Sequence, residues 1–363
     1  MPTVSSSPSL LDLGWDDDWA AALAAASDPD LTPGRVSRID RGVSTVITAT
    51  GPVRVSAVAT QTIAVGDWVT LAPDPTATGR WALAVILPRR CAFRRAGDGP
   101  AARAQVVAAN IDTVLLVDAI DGQLSVRHLE RYVALAWQSG AVPAIVITKA
   151  DLASPEQVRR HVAAVAEVAR GVAVHVVSAA TGQGLQDLAP YLAPGRTVAL
   201  LGLSGAGKST LVNLLAGDQI LATSTVRADG KGRHTTTYRE LVPLPGGGLV
   251  IDTPGMRALS VSAAVGGVAQ VFADIEDLAS RCGFPDCSHT SEPGCAVMAA
   301  LAAGDLSGTR LASWRQLRNE TPAEDPQVAR LRIVERKRQK ASAKAIRSRS
   351  RATQRRLASP PPS

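Results

Sequence analysis

Four short stretches of this chain carry residue types at spacings that chemistry requires. The first is Gly202-Leu203-Ser204-Gly205-Ala206-Gly207-Lys208-Ser209, which follows the apolar run TVALL and precedes TLVNLLAG. G-x-x-x-x-G-K-[ST] between a strand and a helix is the loop whose backbone N–H groups surround a β-phosphate, with a helix dipole behind them. Lys208 is expected to reach the β- and γ-phosphates and Ser209 to ligate Mg²⁺, with Thr210 completing the loop. The second stretch, Asp252-Thr253-Pro254-Gly255, ends the apolar run LVI. An Asp at that strand end suits Mg²⁺, and the Gly255 N–H can meet the γ-phosphate. Between the two lies GKGRHTTTYRE, polar and in the place of a switch loop; of Thr235-Thr236-Thr237, Thr236 is expected to complete the Mg²⁺ shell.

The third stretch is Thr148-Lys149-Ala150-Asp151, at the end of the apolar run IVI. A carboxylate there can accept both N1–H and N2–H of guanine, neither of which adenine offers. A site that buries such a carboxylate rejects the wrong base by roughly 10⁴-fold, because the group would lose its partners. The Lys149 stem can lie over the purine, and the backbone of Ser178-Ala179-Ala180 can bond the guanine carbonyl. A dinucleotide reading of Gly182-x-Gly184 fails because Asp187 stands where the third glycine belongs. Lysine usage agrees with the nucleotide reading. Only six of the 39 Lys and Arg residues are Lys, and two of those six are Lys149 and Lys208. Lys supplies a compact charge on a flexible stem that an Arg fork cannot imitate. The base-reading loop therefore precedes the phosphate loop, the reverse of the usual order. Such an order arises by circular permutation, which costs little where a domain's termini lie close together.

The fourth stretch, CGFPDCSHTSEPGC, places Cys282, Cys287, His289 and Cys295 in a C-x4-C-x-H-x5-C pattern. Three thiolates and an imidazole make a closed tetrahedral zinc set, structural because it leaves no open position. Cys91 stands alone and no role is expected of it.

The elements that must position these residues differ along the chain. Residues 1–33 read as an arm with a short amphipathic helix in WDDDWAAALAAA. Residues 34–93 alternate in short β-rich runs broken at Gly and Pro, as expected of an OB-fold barrel with Trp68 and Trp81 in its core. Residues 94–260 alternate strand and helix, VVAANIDTVLLVDA being the first strand run, and imply an α/β domain with a parallel sheet. Residues 261–320 read as a helical zinc-binding domain. Residues 321–363 read as a disordered tail, with twelve Lys/Arg against the single Glu335 from Arg330 onward. That block outweighs the whole chain's net charge of +7. It suits either a solvated end or contact with nucleic acid. No apolar run approaches the roughly 18 residues of a membrane span, and the N-terminus is acidic where a secretory signal is basic; a cytoplasmic protein is expected.

Together, AANIDTV, TKAD, GLSGAGKST, GRHTTT, DTPG and the C-x4-C-x-H-x5-C module resemble the RsgA (YjeQ) family over residues 34 to about 318. The resemblance implies a GTPase that binds the 30S ribosomal subunit and 16S rRNA, assists late maturation, and uses GTP, Mg²⁺ and one Zn²⁺. It implies hydrolysis stimulated by the subunit, with GTP state controlling release, and a monomer is expected. The family's base loop usually begins with Asn, where this chain has Thr148. Met256 follows D-T-P-G where other GTPases carry a water-orienting Gln, and His234 matches the family residue assigned that task. The alternative is an rRNA-binding module whose nucleotide regulates docking with negligible turnover.

Overall fold

The fold, taken from a computed structural model, is described for residues 9–26, 31–40, 43–56, 63–74, 80–95, 105–122, 125–217, 240–252, 265–284 and 286–320. Helix α1 (Asp17–Ala25) starts where the Asp16 carboxylate accepts the Trp19 N–H at 3.1 Å. Such a cap satisfies one of the first-turn donors. Trp19 and Leu13 are buried, so this part of the arm is packed.

Strands β1 (Thr32–Asp40), β2 (Val43–Thr48), β3 (Gly51–Ser56), β4 (Trp68–Pro73) and β5 (Trp81–Ile86) close a barrel. Its order is β1-β2-β3-β5-β4, β4 returning to β1, with β3–β5 the parallel pair. Alternate residues point inward, and Val36, Val46, Val55, Val69, Leu71 and Leu83 fill it. This is the expected OB-like barrel. Trp81 packs against its core, but Trp68 does not: its ring meets Trp15 edge-on at 4.8 Å and Trp19 at 6.1 Å. Trp68 seals the barrel to the arm.

The run VVAANIDTVLLVDA is two strands. Strand β6 (Ala92–Arg95) pairs with β7 (Gln105–Ala109), and β8 (Thr113–Ala119) begins the main sheet. Asn110, in the left-handed region at φ 56°, turns the chain between them. From there α2 (Val126–Ser139), β9 (Val142–Thr148), α3 (Pro155–Val168), β10 (Ala173–Val176), β11 (Thr197–Leu201), α4 (Lys208–Ala216), β12 (Glu240–Pro243) and β13 (Leu249–Asp252) build one layered unit. Its strand order is β10-β9-β8-β11-β13-β12, parallel except for β12. Strands β8, β9 and β11 are buried almost throughout, as a sheet covered on both faces requires. Edge strand β12 meets β1 at Arg38–Glu240, so barrel and sheet are continuous.

The chain then forms α5 (Val265–Val271), α6 (Ala273–Ala279), α7 (Ala296–Ala303) and α8 (Gly308–Asn319). Gly267 brings α5 so close to α2 that a Cβ would lie 1.8 Å from the Ala134 carbonyl oxygen. Buried Arg310 on α8 donates to both Asp274 carboxylate oxygens, at 2.7 and 2.8 Å, and to the Val168 and Val271 carbonyls. One guanidinium thus joins the helical region to the end of α3. Among the described residues no helix is long and apolar enough to cross a membrane.

Candidate nucleotide site and candidate metal centre

Strand β11 delivers the phosphate loop at its carboxyl end. Gly202 has no room for a side chain, since a Cβ would lie 2.1 Å from the Val117 carbonyl oxygen. Gly205 and Gly207 hold φ values of 80° and 86°, which an L side chain rarely adopts. Gly207 caps α4 without a side-chain bond, so the first N–H groups of the helix stay directed into the loop. Lys208 Nζ spans the loop, donating to the Gly202 and Leu203 carbonyls at 2.9 and 2.7 Å. Ala206 is buried, while Ser204 and Thr210 are exposed and Ser209 is half-buried.

The base loop ends β9, two strands away. Thr148 Oγ1 donates to the Ala206 carbonyl at 2.7 Å, bonding the base loop directly to the phosphate loop. The hydroxyl at the first position of the base loop thus ties the two loops together. Lys149 turns the chain in the left-handed region, φ 59°, and Ala150 is buried. Asp151 is exposed, and one of its oxygens accepts the Ser178 hydroxyl at 2.5 Å. Ser178 is fully buried and its own loop turns on it: Gly182 N–H reaches its carbonyl and Thr181 N–H its hydroxyl. Ala179 and Ala180 follow, increasingly exposed. Phosphate loop, base loop and supporting loop thus converge at the carboxyl ends of β11, β9 and β10, where open α/β sheets bind ligands.

Asp252 is the last residue of β13, in register with Glu240. His234, Thr235, Thr236, Thr237, Gly255 and Met256 lie outside the described residues. One partner was not legible in the motifs. Asp121, just beyond β8, accepts Lys149 Nζ at 2.8 and 3.1 Å. Its available signal was an acidic residue at the carboxyl end of the strand between β9 and β11.

Cys282, Cys287, His289 and Cys295 place their ligand atoms within 4.8 Å of one another. Cys282 Sγ lies 3.9 Å from Cys295 Sγ and 3.4 Å from His289 Nδ1, and Cys295 Sγ lies 3.7 Å from that nitrogen. A tetrahedron with Zn–S about 2.3 Å and Zn–N about 2.0 Å has edges of roughly 3.5–3.8 Å, so the donor set fits zinc. Backbone support comes from α7, whose Met298 N–H points at Cys295 Sγ at 3.5 Å. His289 and Cys295 are buried, and the His289 carbonyl accepts from Arg315. Cys91 is separate: burial pushes its thiol up to about 12, and its sulfur accepts the Ile111 N–H. It is a packed, unreactive group.

A sheet in which the base loop precedes the phosphate loop in the chain yet meets it in space defines a circularly permuted P-loop GTPase. The RsgA GTPase family model matches residues 86–262. Over 324 residues, 87% of either chain, this protein is 46% identical to the small ribosomal subunit biogenesis GTPase RsgA of Streptomyces coelicolor. It is 44% identical over 329 residues to that of Opitutus terrae, covering 86% of this chain and 89% of the relative. The chain belongs to the RsgA family. YjeQ from Thermotoga maritima superposes with a TM-score of 0.60 at 25% identity, over 80% of this chain and 98% of that one. YloQ, described as a circularly permuted GTPase, gives 0.58 at 24% over 82% and 99%, and shares the fold.

Proposed function

We propose that this chain is a GTPase of small-ribosomal-subunit biogenesis, binding the 30S particle through 16S rRNA and hydrolysing GTP to GDP and phosphate to control its release. The observation that carries the reading is the Thr148–Ala206 bond of 2.7 Å, which fixes a guanine-type loop beside a phosphate loop. Asp151 reads the guanine N1–H and N2–H, with Ser178 holding its other face. The Lys149 stem covers the purine, Ala150 seats the loop, and the Ser178-Ala179-Ala180 backbone meets the guanine oxygen. The N–H groups of Gly202 through Gly207 take the phosphates, and Lys208 leaves the Gly202 and Leu203 carbonyls for the β- and γ-oxygens. Ser209, Thr236 and Asp252 would hold Mg²⁺, which would supply charge neutralisation to the phosphates, while Gly255 would donate to the γ-phosphate. Cys282, Cys287, His289 and Cys295 hold one structural Zn²⁺.

Met256 cannot orient the attacking water, so that role falls to His234, acting in the complex with the subunit. The working form is a cytoplasmic monomer divided as arm 1–33, barrel 34–93, GTPase domain 94–260, zinc-binding domain 261–320 and tail 321–363. The barrel, the zinc-binding domain and the basic tail are the surfaces offered to rRNA, the tail through salt-dependent phosphate contacts. Multiple-turnover GTP hydrolysis with and without 30S subunits tests this. Slow turnover alone, raised at least tenfold by 30S and lost in His234→Ala with GTP binding intact, is the expected result. Equal turnover in both conditions, or full stimulation of His234→Ala, overturns it.

A further inference from the structure

Each polar side chain of the base loop is held by a group from a different loop. Thr148 is held by the phosphate-loop carbonyl of Ala206, and Asp151 by Ser178 from the loop after β10. Lys149 has the third such partner: both carboxylate oxygens of Asp121, at 2.8 and 3.1 Å. Asp121 belongs to none of the nucleotide motifs. It stands two residues beyond the end of β8, in the turn closed by Gly122 N–H on the Ala119 carbonyl. That turn is itself fastened to the base loop, because the Ile120 N–H donates to the Thr148 carbonyl at 3.1 Å. The carboxylate is thereby placed by backbone bonds before it meets the lysine.

We infer that Asp121 is a positioning residue for guanine-nucleotide binding: by fixing the Lys149 ammonium it holds the four-carbon stem in the place where the purine stacks. The inference rests on the guanine-loop assignment proposed above. A free lysine side chain samples many rotamers, and part of that freedom must otherwise be lost when the base arrives. An anchored stem has lost it beforehand. Lys149 and Asp121 are half-exposed, so the pair is screened by water and its effect is modest.

The test is a double-mutant cycle on the full chain, reading GDP affinity and dissociation rate. Asp121→Ala is expected to weaken GDP about two- to fivefold, the size of an exposed ion pair, chiefly by faster release. Asp121→Glu should recover most of the loss. The loss should shrink at high salt, which a purely structural role would not produce. In a Lys149→Met background, where the stem remains and the charge is gone, Asp121→Ala should add nothing further. Independent, additive losses, unchanged affinity, or tighter binding by Asp121→Ala overturn the inference. Preference for guanine over adenine in the wild type is measured alongside. If that preference is absent the guanine-loop assignment fails, whereas its presence with an additive cycle sinks Asp121 alone.

Discussion

The nucleotide loops and the cysteine cluster solve the same positioning problem by opposite means. The loops hang from β9, β10 and β11, whose ladders run through fully buried residues such as Ile145, Val146, Val198 and Ala199. Hydrogen bonds between loops then set the last ångströms, as Thr148–Ala206 and Asp151–Ser178 do. The cluster has no sheet beneath it: Cys282 to Cys295 run between α6 and α7 without regular structure, and the cysteines and His289 face one another. A sheet tolerates a change in chain order, because adjacency depends on strand pairing. A metal site tolerates none, because closely spaced ligands are the structure. The permuted order of the first region and the compressed spacing of the second follow from that difference.

Removing one zinc ligand should break the comparison most visibly. Cys287→Ser is expected to lower zinc affinity by more than the roughly 100-fold that losing a ligand's supporting hydrogen bond can cost. Proteolysis should then attack residues 280–320 first. Nucleotide affinity should stay within about twofold, because the loops hang on the sheet. Metal content, limited proteolysis and GDP titration on one preparation check all three. Collapse of nucleotide binding would show that the two regions are not separately supported.

Arg310 is one of the places where the helical region meets the α/β unit, through the Val168 carbonyl. Arg310→Met should destabilise the helical region and its docking by about 3 kcal/mol, since it leaves Asp274 and the Val168 and Val271 carbonyls without this donor. The Arg310–Asp274 pair, which ties α8 to α6, should also fail in acid. Burial pushes the Asp274 carboxyl up, but the hydrogen bonds and charge of Arg310 outweigh it and hold the group below its ordinary 3.8. A carboxyl depressed in the fold stabilises it above its unfolded value and loses that contribution as pH falls through the folded one. Thermal unfolding should therefore show no loss from this pair between about pH 8 and 5, and a loss below about pH 4, absent in Arg310→Met.

The smallest of these effects sharpens the comparison within the nucleotide site. Thr148→Val removes the hydroxyl that reaches Ala206 at nearly constant volume, and should cost about 1 kcal/mol, about fivefold in GDP affinity. Thr148→Asn should hold or tighten binding by adding the amide donor. Loss in both variants would mean that the hydroxyl, not the tether, is what the site requires.

What was legible in the sequence follows the same division. The phosphate loop, T-K-A-D and the cysteine pattern are local, and each declared its chemistry through spacing. The barrel and parallel sheet showed as changes of period. Hidden were the joints. Asp121 meets Lys149 across 28 residues, Arg310 meets Asp274 across 36, and buried Arg35 reaches the carbonyls of Leu13, Gly66 and Asn110 across 22, 31 and 75. No periodicity encodes such pairs. The short alternating runs place Trp68 in the barrel core, yet its ring faces an arm that composition alone cannot dock. The break at Asn110 was hidden because apolar residues flank it on both sides.

The central claim is that a permuted chain rebuilds a guanine-reading site, and Asp151 tests it most directly. GDP, ADP and XDP affinities should be measured for the wild type and for Asp151→Asn. The wild type should prefer GDP over ADP by several orders of magnitude. Asp151→Asn should lose GDP affinity by roughly 10²-fold, the worth of hydrogen bonds to a charged acceptor, and gain relative affinity for XDP, to which an amide can donate. Equal GDP and ADP binding by the wild type, or an unchanged guanine preference in Asp151→Asn, would contradict the account.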